Sequence, residues 1–149
     1  MNSDPASKAT VELPSAFHLA IHVHDLAAAR AFYGDTLGCR EGRSTDTWVD
    51  FDFFGHQLSL HLGTPMAVAR TGQVAGQAVP MPHFGLVLPL PSWQDLAKRL
   101  VSQKIDFILE PQGRFLGQPG EQWTMFFADP SGNPIEIKGF ASRDDIYAH

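Results

Sequence analysis

The sequence predicts an α+β fold built from a repeat, and three observations point to it. Two strand-to-helix units follow one another, the first opening near His18 and the second near His83. Each unit runs on into further short strands and ends on a glycine turn with a last strand, at Gly55 and at Gly132. The units also match at both ends. His18 and His83 stand near the start of the strand that feeds the helix, and four residues past the two turn glycines stand Ser59 and Glu136.

Residues 1–14 are small, polar and proline-containing, and read as a loose lead-in. From Phe17 to Val23 the chain alternates, with Phe17, Leu19, Ile21 and Val23 on one face and His18, Ala20 and His22 on the other. Asp25 is placed to cap a helix from Leu26 to Leu37, whose apolar positions Leu26, Ala29, Phe32, Tyr33 and Leu37 follow a helical repeat, and Gly38 ends it. Short strands are expected at Trp48–Phe53 and Gln57–Leu62. Gly63 to Met81 is rich in Ala, Gly and Pro and reads as a linker. The second unit starts with a strand at His83–Leu88, then a helix capped by Ser92 and carrying Trp93, Leu96, Leu100 and Val101. Strands follow at Ile105–Leu109, Trp123–Phe127 and Pro134–Phe140. The expectation is one domain: a first module over 15–63, a linker over 64–81, a second module over 82–140 and a tail over 141–149.

A chain of 149 residues suits a single domain with a real core. A net charge of −5 with no basic run argues against nucleic acid as a partner. No apolar stretch reaches membrane-spanning length and no signal-peptide pattern opens the chain, so a membrane partner is not expected either. The lone Cys39 cannot form an internal disulfide, which fits a reducing cytoplasm; it lies at the helix exit and reads as structural. The chain's aromatic residues would suit a small-molecule substrate.

Glu136 carries the most chemistry. A carboxylate flanked by Ile135 and Ile137 in a late strand is costly unless it has a partner. With His18 and His83 it would complete two imidazoles and one carboxylate, the ligand set of a facial metal site with open positions. The plain alternatives are a solvent-facing glutamate and two histidines bonded to backbone. His22 shares a face with His18, and His61 stands two residues past Ser59 on the same strand face, so both are candidates for acid–base work. His56 reads as a turn residue, and His24 and His149 take no role. Arg114, Gln118 and Gln122 lie in or beside a Gly/Pro-rich segment, Pro111 to Gly120, that suits a lid; Arg114 is either a receptor for an anionic substrate group or a solvated surface charge. Trp48, Trp123, Phe51, Phe53, Phe126 and Phe127 divide between core and cavity wall, and an aromatic wall suits an aromatic or apolar substrate.

Taken in order, His18 through Asp25-Leu26, Ala31-Phe32-Tyr33, Leu37-Gly38, His83-Phe84-Gly85-Leu86 and Asp129-Pro130-Ser131-Gly132-Asn133-Pro134-Ile135-Glu136 resemble the vicinal oxygen chelate superfamily. That superfamily includes glyoxalase I, type I extradiol dioxygenases, and fosfomycin and bleomycin resistance proteins. The resemblance spans roughly Phe17 to Phe140 and implies two βαβββ modules whose strands curve into an open, mixed sheet around a metal. It implies His18, His83 and Glu136 as the metal ligands, and a homodimer. Glyoxalase I-like members have a fourth ligand, where this chain has Ser59; His61, two residues on, would need a register shift to serve. Extradiol dioxygenases use two His and one Glu around Fe(II) or Mn(II), and that count matches. Their acid–base Tyr and His do not: Phe126 and Gln118 stand there, which leaves His22, His56 or His61 for the role. The segment Trp48 to Gln57, with its Gly55-His56-Gln57 turn, is similar to small predicted extradiol-type dioxygenases. The resemblance thus implies a ring-cleaving dioxygenase using Fe(II) or Mn(II). A lyase or isomerase using Ni(II), Co(II) or Zn(II) is one alternative, and a metal-free, drug-sequestering protein is the other. Whether the site closes within one chain or across a dimer is left open.

Overall fold

A computed structural model describes residues 13–74 and 76–149 of the chain, so most of the expected lead-in lies outside the described residues. In the first half, β1 (His18–Val23) leads to α1 (Leu26–Arg30), which continues as a wider π-helical turn over Ala31–Thr36. Then come β2 (Arg40–Ser44), β3 (Trp48–Phe53) and β4 (His56–Leu62). A hairpin of β5 (Ala69–Val74) and β6 (Gln77–Met81) joins the halves. The second half repeats the plan with β7 (Phe84–Pro89), α2 (Leu90–Ser102), β8 (Phe107–Arg114), β9 (Gln122–Ala128) and β10 (Pro134–Phe140). A short 3-10 turn, Arg143–Tyr147, closes the chain.

The two units form four-stranded sheets of the same order, β1-β4-β3-β2 and β7-β10-β9-β8, with the helix-feeding strand parallel to the last strand in each. Both sheets are open, and the expected α+β pair of βαβββ modules is what the chain forms. The alternation in β1 works as read: Val23 is fully buried while His18, Ala20 and His22 lie on the exposed face. Asp25 caps α1 by accepting from the Ala28 amide at 3.0 Å. Gly38, at φ +78°, takes the left-handed conformation that ends the helical run. Both helices cover the same side of their sheets, and one core joins Tyr33, Val49, Phe51 and Leu60 to Trp93, Leu100, Met125, Ile135 and Ile137.

Four local expectations change. α2 starts at Leu90 with no side-chain cap, because Pro91 already favours a first helical turn; Ser92 lies inside the helix. The connecting segment pairs with itself as a hairpin, through contacts a count of Ala, Gly and Pro does not reveal. β2 pairs with β3 although all of its residues are exposed, which removes the apolar alternation that would mark it. β8 runs on to Arg114 through two register shifts, taking in the first half of the presumed lid. As an edge strand it tolerates Pro111, whose missing N–H breaks no ladder.

The halves are locked by the turn before β10. Asp129 accepts from the Ser131 and Asn133 amides at 2.9 Å each, from Asn133 Nδ2 at 2.9 Å and from the Tyr33 hydroxyl at 2.8 Å. Asn133 also donates to the His22 carbonyl at 3.0 Å, and Ser131 Oγ accepts from the His24 amide at 3.0 Å. The turn that aims Glu136 is therefore anchored to both the π-helical turn after α1 and β1.

Candidate metal centre

β10 aims its residues alternately, and Ile135 and Ile137 go into the core, so Glu136 points to the other face. That face is itself covered: Glu136 is 7% exposed, and Thr124 and Phe126 of β9 are 0% exposed. The carboxylate is held at both oxygens. Thr124 Oγ1 donates to Oε1 at 2.7 Å, and His83 Nε2 lies 3.1 Å from Oε2. His83, one residue ahead of β7, has its Nδ1 2.7 Å from the Pro80 carbonyl. A carbonyl only accepts, so Nδ1 carries a proton, and in the neutral ring the Nε2 lone pair faces Glu136. Phe126 packs edge-on against the imidazole at 5.0 Å. Gly85 pairs with Glu136 in the parallel ladder, and a Cβ there would collide with the Glu136 backbone. Only glycine allows β7 and β10 to approach this closely.

This pair fits a divalent cation. Two donors on one metal, with bonds of about 2.1 Å at a right angle, stand roughly 3.0 Å apart. Nε2 and Oε2 stand at 3.1 Å, each with its other atom already oriented by a partner. That outer support is what a metal-binding imidazole and carboxylate need.

The remaining predicted residues lie on the other sheet. His18 is exposed on β1 and opens onto a cavity lined by Leu13, Gly42, Arg43, Asp50 and Gln57, with no residue of the second half in that lining. No three His, Cys, Asp or Glu side chains among the described residues are grouped to hold a metal ion. The chain thus brings His83 and Glu136 together and leaves His18 apart. His22 and His61 are register partners across β1 and β4, and they line a cavity with Ala20 and Ile21 on the His18 face. His22 Nδ1 lies 3.2 Å from the Thr64 carbonyl, and His61 stacks on Trp48 at 6.2 Å. Ser59 Oγ donates to Asp50 Oδ1 at 2.5 Å, so the fourth-ligand position is already committed. His56, expected in the turn, opens β4 instead, and its Nδ1 accepts from the Phe17 amide at 3.0 Å. Burial pushes the Cys39 thiol up to about 12, with Asp52 adding to the rise and Arg99 opposing it; a thiol so reluctant to ionise is no nucleophile.

One functional candidate is stronger than its sequence context. Arg114 is 6% exposed, not a solvated surface charge, and sits on the Glu136 face. Its neighbours Gly113, Gly117 and Pro119 disguise a strand end as a loop, so nothing in the local composition signals its burial.

The sequence profile described as the Glyoxalase/Bleomycin resistance protein/Dioxygenase superfamily matches residues 15–137. Among solved structures, a glyoxalase/bleomycin resistance protein/dioxygenase from Alicyclobacillus acidocaldarius is 31% identical at a TM-score of 0.74, covering 93% of this chain and 100% of its own. A lactoylglutathione lyase from Agrobacterium tumefaciens is 23% identical at a TM-score of 0.61, covering 87% of this chain and 97% of its own. A glyoxalase/bleomycin resistance protein/dioxygenase from Nocardioides is also 23% identical, at a TM-score of 0.59, over 91% of this chain and 89% of its own. At 23% identity the likeness speaks for the fold alone. No curated protein matches the chain.

Proposed function

Because the chain belongs to the Glyoxalase/Bleomycin resistance protein/Dioxygenase superfamily, we propose that it is a divalent-metal-dependent enzyme acting on a substrate with two adjacent oxygens. Its preferred reaction is extradiol-type ring cleavage of a small aromatic. The observation that carries this reading is the convergence of His83 Nε2 and Glu136 Oε2 at 3.1 Å, each held from behind by its own hydrogen bond. His18 is the third ligand. Since it opens away from the pair within one chain, it is supplied by a second copy, and the working form is a homodimer.

The ion, when bound, supplies Lewis acidity towards the two substrate oxygens, and Fe(II) or Mn(II) adds redox chemistry with O2. The protein does the rest. Pro80 fixes the His83 tautomer and Thr124 fixes the carboxylate rotamer. Phe126 gives the His83 side an apolar wall that excludes water. His22 and His61 share a face with His18, so a copy that brings one brings the others, and either can take the substrate proton. Ser59, tied to Asp50, leaves a three-ligand site, which favours the dioxygenase over a four-ligand lyase. Ni(II), Co(II) or Zn(II) in the same ligands would favour lyase or isomerase chemistry instead.

Metal content and turnover of His83→Ala and Glu136→Gln test the assignment. Both variants should lose bound metal and activity together; either one keeping full metal and full activity ends it. Mixing His18→Ala with Glu136→Gln should restore a fraction of the activity if the site closes between copies.

A further inference from the structure

The Glu136 face carries a second buried charge with no hydrogen-bond or ion-pair partner among the described residues. β8 and β9 pair Gln112 with Thr124 and Arg114 with Gln122, and β9 and β10 pair Thr124 with Lys138 and Phe126 with Glu136. Antiparallel partners share a face, so Arg114 lies on the same wall as Glu136. It is 6% exposed, and its Nε and Nη2 are buried without a hydrogen-bond partner among the described residues. Nor does it appear in any ion pair among those residues. A guanidinium is always charged and presents its donors as a fixed fork. Removing such a charge from water without a counter-charge is strongly unfavourable, so the arrangement calls for an anion.

We propose that Arg114 is the receptor for an anionic group, a carboxylate or a phosphonate, on the small molecule that the Glu136 wall binds. This rests on the reading above only in taking that wall as the ligand site. The fork geometry matches two oxygens of either group in paired hydrogen bonds. Position adds a constraint on shape. From Glu136 to Arg114 the sheet is crossed by two strand spacings and four residues, roughly 16 Å between Cα atoms along its surface. The anion and the metal-binding oxygens are therefore separate groups of the molecule. The loop from Phe115 to Glu121 leaves from Arg114 and returns at Gln122, with Phe115 and Leu116 exposed on it, so the anion end lies beside an exposed loop.

The test uses the full chain as purified, titrated calorimetrically with benzoate, phenylphosphonate and the neutral benzamide, with metal content measured on every sample. Wild type should bind at least one anion and not benzamide, and the tighter of the two identifies the group. Arg114→Gln should bind that anion at least tenfold more weakly while keeping the wild-type metal content, and Arg114→Lys should fall between. Glu136→Gln should lose metal and keep the anion, which separates this proposal from the metal assignment. The proposal is overturned if wild type binds neither anion, if benzamide binds as well as the tighter anion, or if Arg114→Gln binds that anion unchanged. Should Arg114→Gln fail to fold, the wild-type contrast between benzoate, phenylphosphonate and benzamide decides alone.

Discussion

Replacing Tyr33 with Phe removes one oxygen atom and tests the joint that aims Glu136. The hydroxyl is fully buried and donates to Asp129 at 2.8 Å. The ring stays where it is, packed against Phe32 at 5.1 Å, Phe51 at 5.8 Å and Phe53 at 6.3 Å, so the change isolates the hydrogen bond. Asp129 keeps its three donors from Ser131 and Asn133, so no acceptor is stranded. A buried hydrogen bond to a carboxylate is worth about 1.5–3 kcal/mol, so about 2 kcal/mol should be lost. For a domain of this size that lowers Tm by about 4–8 °C. The pH dependence carries a sign. Burial first, and then Asp129, holds the Tyr33 hydroxyl well above its ordinary range. A raised pKa gives stability that is fully present below the unfolded value, about 10, and is lost as pH rises through the folded one. Urea melts followed by circular dichroism should therefore show the full gap between wild type and Tyr33→Phe from pH 7 to 9, narrowing above pH 10. A loss under about 0.5 kcal/mol at neutral pH, or a gap that ignores alkaline pH, would refute the joint as described.

Three further outcomes follow from the same geometry. Thr124→Val takes the donor from Glu136 Oε1 at little change in shape; it should weaken metal binding by about tenfold in a competition titration and cost about 1–3 kcal/mol in urea melts, because a buried carboxylate oxygen is left without a donor. Gly85→Ala puts a methyl group into the Glu136 backbone, and should cost about 1–3 kcal/mol in urea melts and reduce metal occupancy with it. Cys39 should resist a thiol-specific disulfide reagent at pH 8 in the native chain and react at once in urea; because its folded pKa is raised to about 12, its share of stability is lost as pH climbs from the ordinary thiol value towards 12.

Much of this was legible in the residues, for identifiable reasons. The β1 and β10 boundaries follow from alternation over a buried face, and the Asp25 and Gly38 ends of the first helical run follow from local backbone chemistry. Burial of Glu136 beside a histidine was readable because two isoleucines flank it. What escaped depends on contacts made at a distance. β2 is exposed and polar, and only its pairing with β3 makes it a strand. Arg114 is hidden because β8 continues through bulges past a proline, and no period in the sequence survives a bulge. Thr124 was passed over because its role is visible only through the carboxylate it holds.

The proposed function turns on whether His83 and Glu136 hold a divalent metal ion. Elemental analysis of untagged protein, purified without oxygen or chelators, tests it most directly. Near-stoichiometric iron or manganese is expected, lost in Glu136→Gln. Protein that carries no metal, and takes up none when iron, manganese, nickel, cobalt or zinc is added back, would contradict it and point to a metal-free binding protein.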